Sequence, residues 1–167
     1  GSEMCIRDRK NPVVIGVNAI NPFYQYDYLF IINTVRYDYA REIYPKQFRE
    51  TKKILLSNIK TVADENELIV NFNRVVKRGW EHFDNAVINM LRLLDKIHVK
   101  DIALVGFDGF KHKYNESYAD IALPTLNPDN RWDELNDEIN DMFQDLKAST
   151  ETTMKIKFVT DLSLIHI

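Results

Sequence analysis

The chain has 167 residues, 45% of them apolar, and sets 22 Lys and Arg against 25 Asp and Glu for a formal net charge of −3. That balance argues against nucleic acid as a partner, because phosphate-backbone binding needs a basic surface; no run reaches the roughly 18 uninterrupted apolar residues of a membrane-spanning helix. A single cysteine excludes an internal disulfide framework and a cysteine-based zinc site.

The two ends mirror each other at the level of DNA. "MCIRDR" (Met4 to Arg9) can be written as codons whose reverse complement encodes the closing "LSLIHI". The shared element resembles the transposase mosaic end of sequencing-library adapters, so residues 1–9 and 162–167 are expected to be adapter-derived. Lys10 to Asp161 is then the native stretch, about 150 residues, room for one α/β domain with a sizeable core. Cys5 lies outside that stretch, which leaves no native thiol and suits a reducing, cytoplasmic setting.

Along the chain, "NPVVIGVNAI" places Val13 to Val17 in an apolar run broken only by Gly16 and closed by Asn18. A short continuous run of this kind predicts a strand buried on both faces, as in a parallel sheet. Tyr28 to Ile32 repeats the form and exits at Asn33; Ile54 to Leu56 does so again and exits at Ser57-Asn58. Glu67 to Phe72 is a fourth strand candidate, with Asn73 beyond it. The period then changes: Ala86, Val87, Met90, Leu91, Leu94 and Ile97 recur at three- and four-residue spacing, which predicts an amphipathic helix. Asp84 or Asn85 stands where a side-chain oxygen would cap its first turn. His98 falls at its other end, where a cation is favourable.

Ile102 to Val105 predicts another strand, ending at Gly106 and turning at Asp108-Gly109. Lys111 to Arg131 has no periodicity and reads as a loop. Helical spacing returns through Trp132, Leu135, Ile139, Met142, Phe143 and Leu146, with Asp129 or Asn130 as candidate caps. Met154, Ile156 and Phe158 alternate as in a half-exposed edge strand.

Alternating strands and helices predict an α/β fold with a mostly parallel, Rossmann-like sheet and helices on both faces. Ligands in such sheets bind beyond the carboxyl ends of the strands, at the switch in strand order. Asn18, Asn33, Ser57 and Asn58 are thus candidate binding residues, since amide and hydroxyl groups donate and accept toward sugar hydroxyls and base edges. Asn is also the ordinary turn residue after a strand. Asp84 and Asn85 open a helix, where free N–H groups favour an anion. Gly106 and Asp108 end the strand at Val105, and Asp108 or His82 would serve as a general base. The basic run "RVVKR" (Arg74 to Arg78) reads as a solvated face, with anion binding as the alternative. The histidines lack metal-ligand spacing, and no Gly-rich phosphate loop or hydrolase motif is present.

The order "VVIGVNAI", "YDYLFIINTVRY", "ILLSNI", "FDNAVINMLRLLDKIHVKDIALVGFDGF" and "IKFVT" resembles a C-terminal domain found on HMG-CoA-lyase-like and 4-hydroxy-2-oxovalerate-aldolase-like proteins of bacterial surface-polysaccharide loci. The segment from Asp84-Asn85 to "GFDG" is also similar to the MptE-like pterin diphosphokinases and, more remotely, to bacterial sialyltransferases. The resemblance implies a Rossmann-like sheet, lacking its first strand here, that handles a nucleotide or nucleotide sugar. It implies an aldolase barrel upstream in the native chain, and a small-molecule ligand as the partner. Two other expectations stand beside this accessory-domain reading. One is a free-standing diphospho- or glycosyl-transferase; the other is a structural or oligomerising domain. Asn85-Ala86-Val87 stands where those relatives often carry Asn-Ser-Gly.

Overall fold

The computed structural model describes residues 11–82, 84–107, 132–150 and 154–159. They form two compact units, the first ending at Phe72 and the second beginning at Asn73.

The first unit is a parallel sheet of β1 (Ile15–Val17), β2 (Tyr28–Ile31), β3 (Lys52–Leu56) and β4 (Glu67–Val70). The chain is thus α/β with a parallel, Rossmann-like sheet, as the apolar runs predict. The strands lie side by side in sequence order, without the order reversal at which a cleft was expected.

Burial explains why the central runs are continuous rather than alternating. In β2, Leu29 and Ile31 join the main core cluster while Phe30 points to the opposite face, and all three are fully buried. β1 is shorter than its apolar run. Val13 and Val14 are exposed. The Asp27 carboxylate accepts the Val14 N–H at 2.7 Å, and the Val14 carbonyl accepts the Asp27 N–H at 2.9 Å. Gly16 interrupts the run because the Tyr26 ring lies against it: a Cβ there would sit 3.0 Å from the ring.

Two helices that periodicity did not announce cross from β2 to β3. They are α1 (Thr34–Ile43) and α2 (Pro45–Glu50). Only Tyr37 and Ala40 of α1 are buried, a stripe too narrow to register as amphipathic. Their punctuation is local: Asn33 caps α1, and Pro45 starts α2, where a missing N–H costs nothing. The fourth strand stops at Val70, and Phe72 opens the single turn α3 (Phe72–Val75), so Asn73 lies in a helix rather than at a strand exit.

At the amino ends of β3 and β4 the sheet holds charge. Lys53 is fully buried; its ammonium donates to the Phe48 carbonyl at 3.0 Å and to Asp64 Oδ2 at 3.0 Å, and it lies 4.6 Å from the centre of the Phe48 ring. The Asn66 N–H and this ammonium hold the Asp64 carboxyl below the usual range. Glu67, the register partner of Lys53, accepts from the Tyr37 hydroxyl at 2.5 Å, and that hydroxyl accepts the Val62 N–H at 3.1 Å. Burial first, and then the bond to Glu67, push the Tyr37 phenol up to about 12.

The second unit contains α4 (Ala86–Lys96), β5 (Asp101–Leu104), α5 (Trp132–Ser149) and β6 (Lys155–Phe158); β5 and β6 pair in parallel. The apolar stripes of α4 and α5 are buried through Ile88, Leu91 and Leu94, and through Ile139, Met142 and Leu146. Phe158 packs edge-on to Phe143, with centroids 5.6 Å apart. α4 ends in a Schellman motif: the Val99 N–H reaches the Leu94 carbonyl and the His98 N–H the Asp95 carbonyl, both at 2.9 Å. His98 therefore holds the left-handed position, with φ 61°, that glycine usually fills.

Two outcomes follow from these local features. His98→Gly relieves the left-handed strain and raises unfolding free energy by about 0.5–1 kcal/mol in chemical denaturation; a loss of stability would mean that the imidazole makes a net contribution of its own. A tyrosine in the unfolded chain titrates near about 10. The folded Tyr37 keeps its proton up to about 12, so its contribution is complete below the lower value and is lost as pH rises through that window. Wild type loses stability between about pH 10 and about pH 12 by a component that Tyr37→Phe lacks. Identical slopes for the two proteins would contradict the burial of this phenol.

Candidate functional site

The carboxyl edge of the first sheet gathers four of the candidate residues. Asn18 continues β1 by donating its N–H to the Phe30 carbonyl at 2.8 Å, in a left-handed conformation with φ 58° that asparagine tolerates. Its Oδ1 accepts the Ile32 N–H at 3.1 Å. From the other side, Asn58 Nδ2 donates to the Ile32 carbonyl at 3.2 Å. Both backbone polar groups of the residue leaving β2 are thus held by side chains from the two neighbouring strand ends. Ser57 extends the β3–β4 ladder through its N–H to the Val70 carbonyl at 2.8 Å, and its Oγ accepts the Phe72 N–H at 3.0 Å. Asn33 caps α1 by accepting the Arg36 N–H at 2.9 Å.

Each of these side chains does backbone work, as turn and cap residues do. The work consumes one end of each amide. The Nδ2 groups of Asn18 and Asn33 and the Oδ1 of Asn58 are the ends left over, two donors and an acceptor on one edge. Asn58 and Ser57 are exposed, and Asn18 and Asn33 are half-buried. The first turn of α1 carries no acidic side chain, so its positive end meets no protein carboxylate there.

The other candidates belong to the second unit. Asn85, not Asp84, caps α4: its Oδ1 accepts from Val87 and Ile88 N–H at 2.8 and 3.3 Å. Asp84 is buried and takes the Lys77 N–H at 2.7 Å and the guanidinium of Arg92. With its charge met by Arg92, it is an anchor for the segment ahead of α4. His82 is tied to α5. Glu138 Oε2 lies 2.7 Å from His82 Nδ1 and accepts the His82 N–H at 3.0 Å, and Glu138 Oε1 accepts the Glu81 N–H at 2.5 Å. Gly106 has φ 71° after β5, the backbone freedom a turn needs. Asp108 and His112 lie outside the described residues, as do the Lys111 to Arg131 stretch and the Asp129 and Asn130 caps.

One feature that sequence reasoning passed over is a cleft of about 260 Å³ in the second unit. Arg74 and Lys77 of the basic run, read as a solvated face, line it together with Arg92 and Lys96 of α4 and Asp145 of α5. The signal was present in the basic run, but its partners are distant: Lys77 pairs with Asp145, 68 positions away. Among the described residues no group of three or more His, Cys, Asp or Glu side chains is arranged to hold a metal ion, and no helix is long and apolar enough to cross a membrane.

In comparisons with protein-family models, curated proteins and solved structures, the chain matches none. What can be said of its function rests on its own geometry.

The capping role of Asn33 has a measurable consequence. Asn33→Ala removes the acceptor for the Arg36 N–H and lowers unfolding free energy by about 1 kcal/mol, while Asn33→Asp, which keeps an oxygen there, retains most of the stability. Equal stability of wild type and the Ala variant in urea denaturation would show that the cap is not formed in solution.

Proposed function

We propose that the chain is a ligand-binding α/β domain that takes a nucleotide or nucleotide sugar at the carboxyl edge of its four-stranded sheet. The observation that carries this reading is the convergence there of Asn18, Asn33, Ser57 and Asn58 with a helix start free of acidic side chains. Leftover amide donors and an acceptor suit ribose or sugar hydroxyls and a base edge, and the first turn of α1 suits a diphosphate. Ligand binding beyond strand carboxyl ends is the general habit of open parallel sheets. The two asparagines that brace Ile32 are themselves held by the contact, so their remaining polar ends are pre-oriented before any ligand arrives.

The resemblance to aldolase-associated domains of polysaccharide loci fits the same reading. In that setting the domain is an accessory unit of a cytoplasmic aldolase-like protein, and an upstream barrel performs the reaction.

Asn58 offers the cleanest test, because it is exposed and caps no helix. Titration calorimetry with uridine diphosphate glucose gives saturable binding to the full chain, and Asn58→Ala weakens it by about tenfold, or about 1.4 kcal/mol, while a thermal melt shows that the variant, which also loses the bond to the Ile32 carbonyl, is still folded at the titration temperature. Saturable binding that Asn58→Ala leaves intact would place the ligand elsewhere, and no binding of this or other nucleotide sugars would end the proposal.

A further inference from the structure

We propose that the cleft of the second unit is a separate binding site for a phosphate group, carried by a small phosphomonoester or present as the free dianion. Its walls come from three elements. Arg74 stands in α3 and Lys77 just beyond it; Arg92 and Lys96 come from α4; Asp145 and Ser149 come from α5. The lining carries four cationic side chains against two carboxylates, Asp95 and Asp145, in a chain whose net charge is −3. The cleft lining is therefore positive although the chain as a whole is negative.

The cations are not equally committed. Lys77 pairs with Asp145. Arg92 is anchored through Nη1, which reaches Asp84, the Val75 carbonyl at 3.0 Å and Asn89 Oδ1 at 3.1 Å. Its Nη2 is buried and has no hydrogen-bond partner among the described residues. Arg92 thus lines the cleft as a fixed guanidinium with one nitrogen still unpaired, and arginine favours phosphate oxygens. Arg74 and Lys96 are exposed and make no ion pair among the described residues. Two uncommitted cations beside a fixed guanidinium exceed what one carboxylate would need and match the two charges of a phosphate.

Size narrows the ligand further. At about 260 Å³ the cleft lies just below the roughly 300–1,000 Å³ usual for small-molecule sites. It suits a phosphate with a small appendage rather than a dinucleotide. Asp145 competes with the ligand for Lys77, so removing its charge favours the anion. The site is independent of the carboxyl edge of the first sheet, and Asn58→Ala leaves it unchanged.

The test is titration of the full chain, at fixed ionic strength, with inorganic phosphate and separately with glucose 1-phosphate, followed by calorimetry and by phosphorus NMR. Saturable binding of one equivalent is expected. Arg74→Gln combined with Lys96→Gln weakens it by about tenfold, whereas Asp145→Asn strengthens it. Lys46→Gln combined with Lys60→Gln, equally exposed cations of the first unit, leaves it unchanged. Tighter binding of glucose 1-phosphate assigns the site to a phosphomonoester, and equal binding assigns it to the free ion. Non-saturable binding, equal losses in the two double variants, or weaker binding by Asp145→Asn would each overturn the proposal. Thermal melts of every variant separate loss of binding from loss of fold.

Discussion

Ile32 is the residue on which the first unit turns. It leaves β2 beyond the last ladder bond, and both its N–H and its carbonyl need partners once the strand ends. Asn18 supplies the acceptor and Asn58 the donor, from the strand ends on either side. One backbone unit thus ties together the carboxyl ends of three parallel strands. The same contact sets the direction in which the chain enters Asn33 and α1, so the helix that covers the sheet starts from a fixed point. Without it, β1, only three residues long, would depend on very few ladder bonds to hold its place.

The opposite end of the sheet is polar for a different reason. Lys53 shares a face with Leu55, deep in the core, and its ammonium is held there by the Phe48 carbonyl and Asp64. A buried charge with its partners in place contributes little net stability, yet losing a partner is strongly destabilising. That asymmetry penalises any shift of β3 against its neighbours, because a slip of one residue would move Lys53 to the other face. Tyr37 and Glu67 extend the same layer onto β4 and α1. Apolar packing holds the middle of the sheet, and directional contacts fix its register at both ends.

The parts legible in the sequence were those whose physics is local. Continuous apolar runs marked β2 and β3, three- and four-residue spacing marked α4 and α5, and alternation marked β6. The capping position before α4 was also visible, although the choice between Asp84 and Asn85 was not: it depends on Arg92, eight residues on, drawing Asp84 away. The helices α1 and α2 escaped notice because their buried stripe amounts to little more than Tyr37, Ala40 and Phe48. The candidate site shows the same division. Asn18, Asn33, Ser57 and Asn58 could each be placed at a strand exit. That two of them would grip the N–H and the carbonyl of one residue is a fact of sheet order, which no single strand reveals. The cleft around Arg92 was less legible still, since its walls come from segments far apart in sequence and a short basic run looks the same whether it faces solvent or a ligand.

The central claim is that the braced carboxyl edge of the first sheet receives a nucleotide or nucleotide sugar. An amide-resolved NMR titration of the isotopically labelled chain with uridine diphosphate glucose tests it most directly. The account predicts saturable shift changes concentrated at Asn18, Ile32, Asn33, Ser57 and Asn58 and in the first turn of α1. Shifts centred on other residues, or none at saturating ligand, would contradict it.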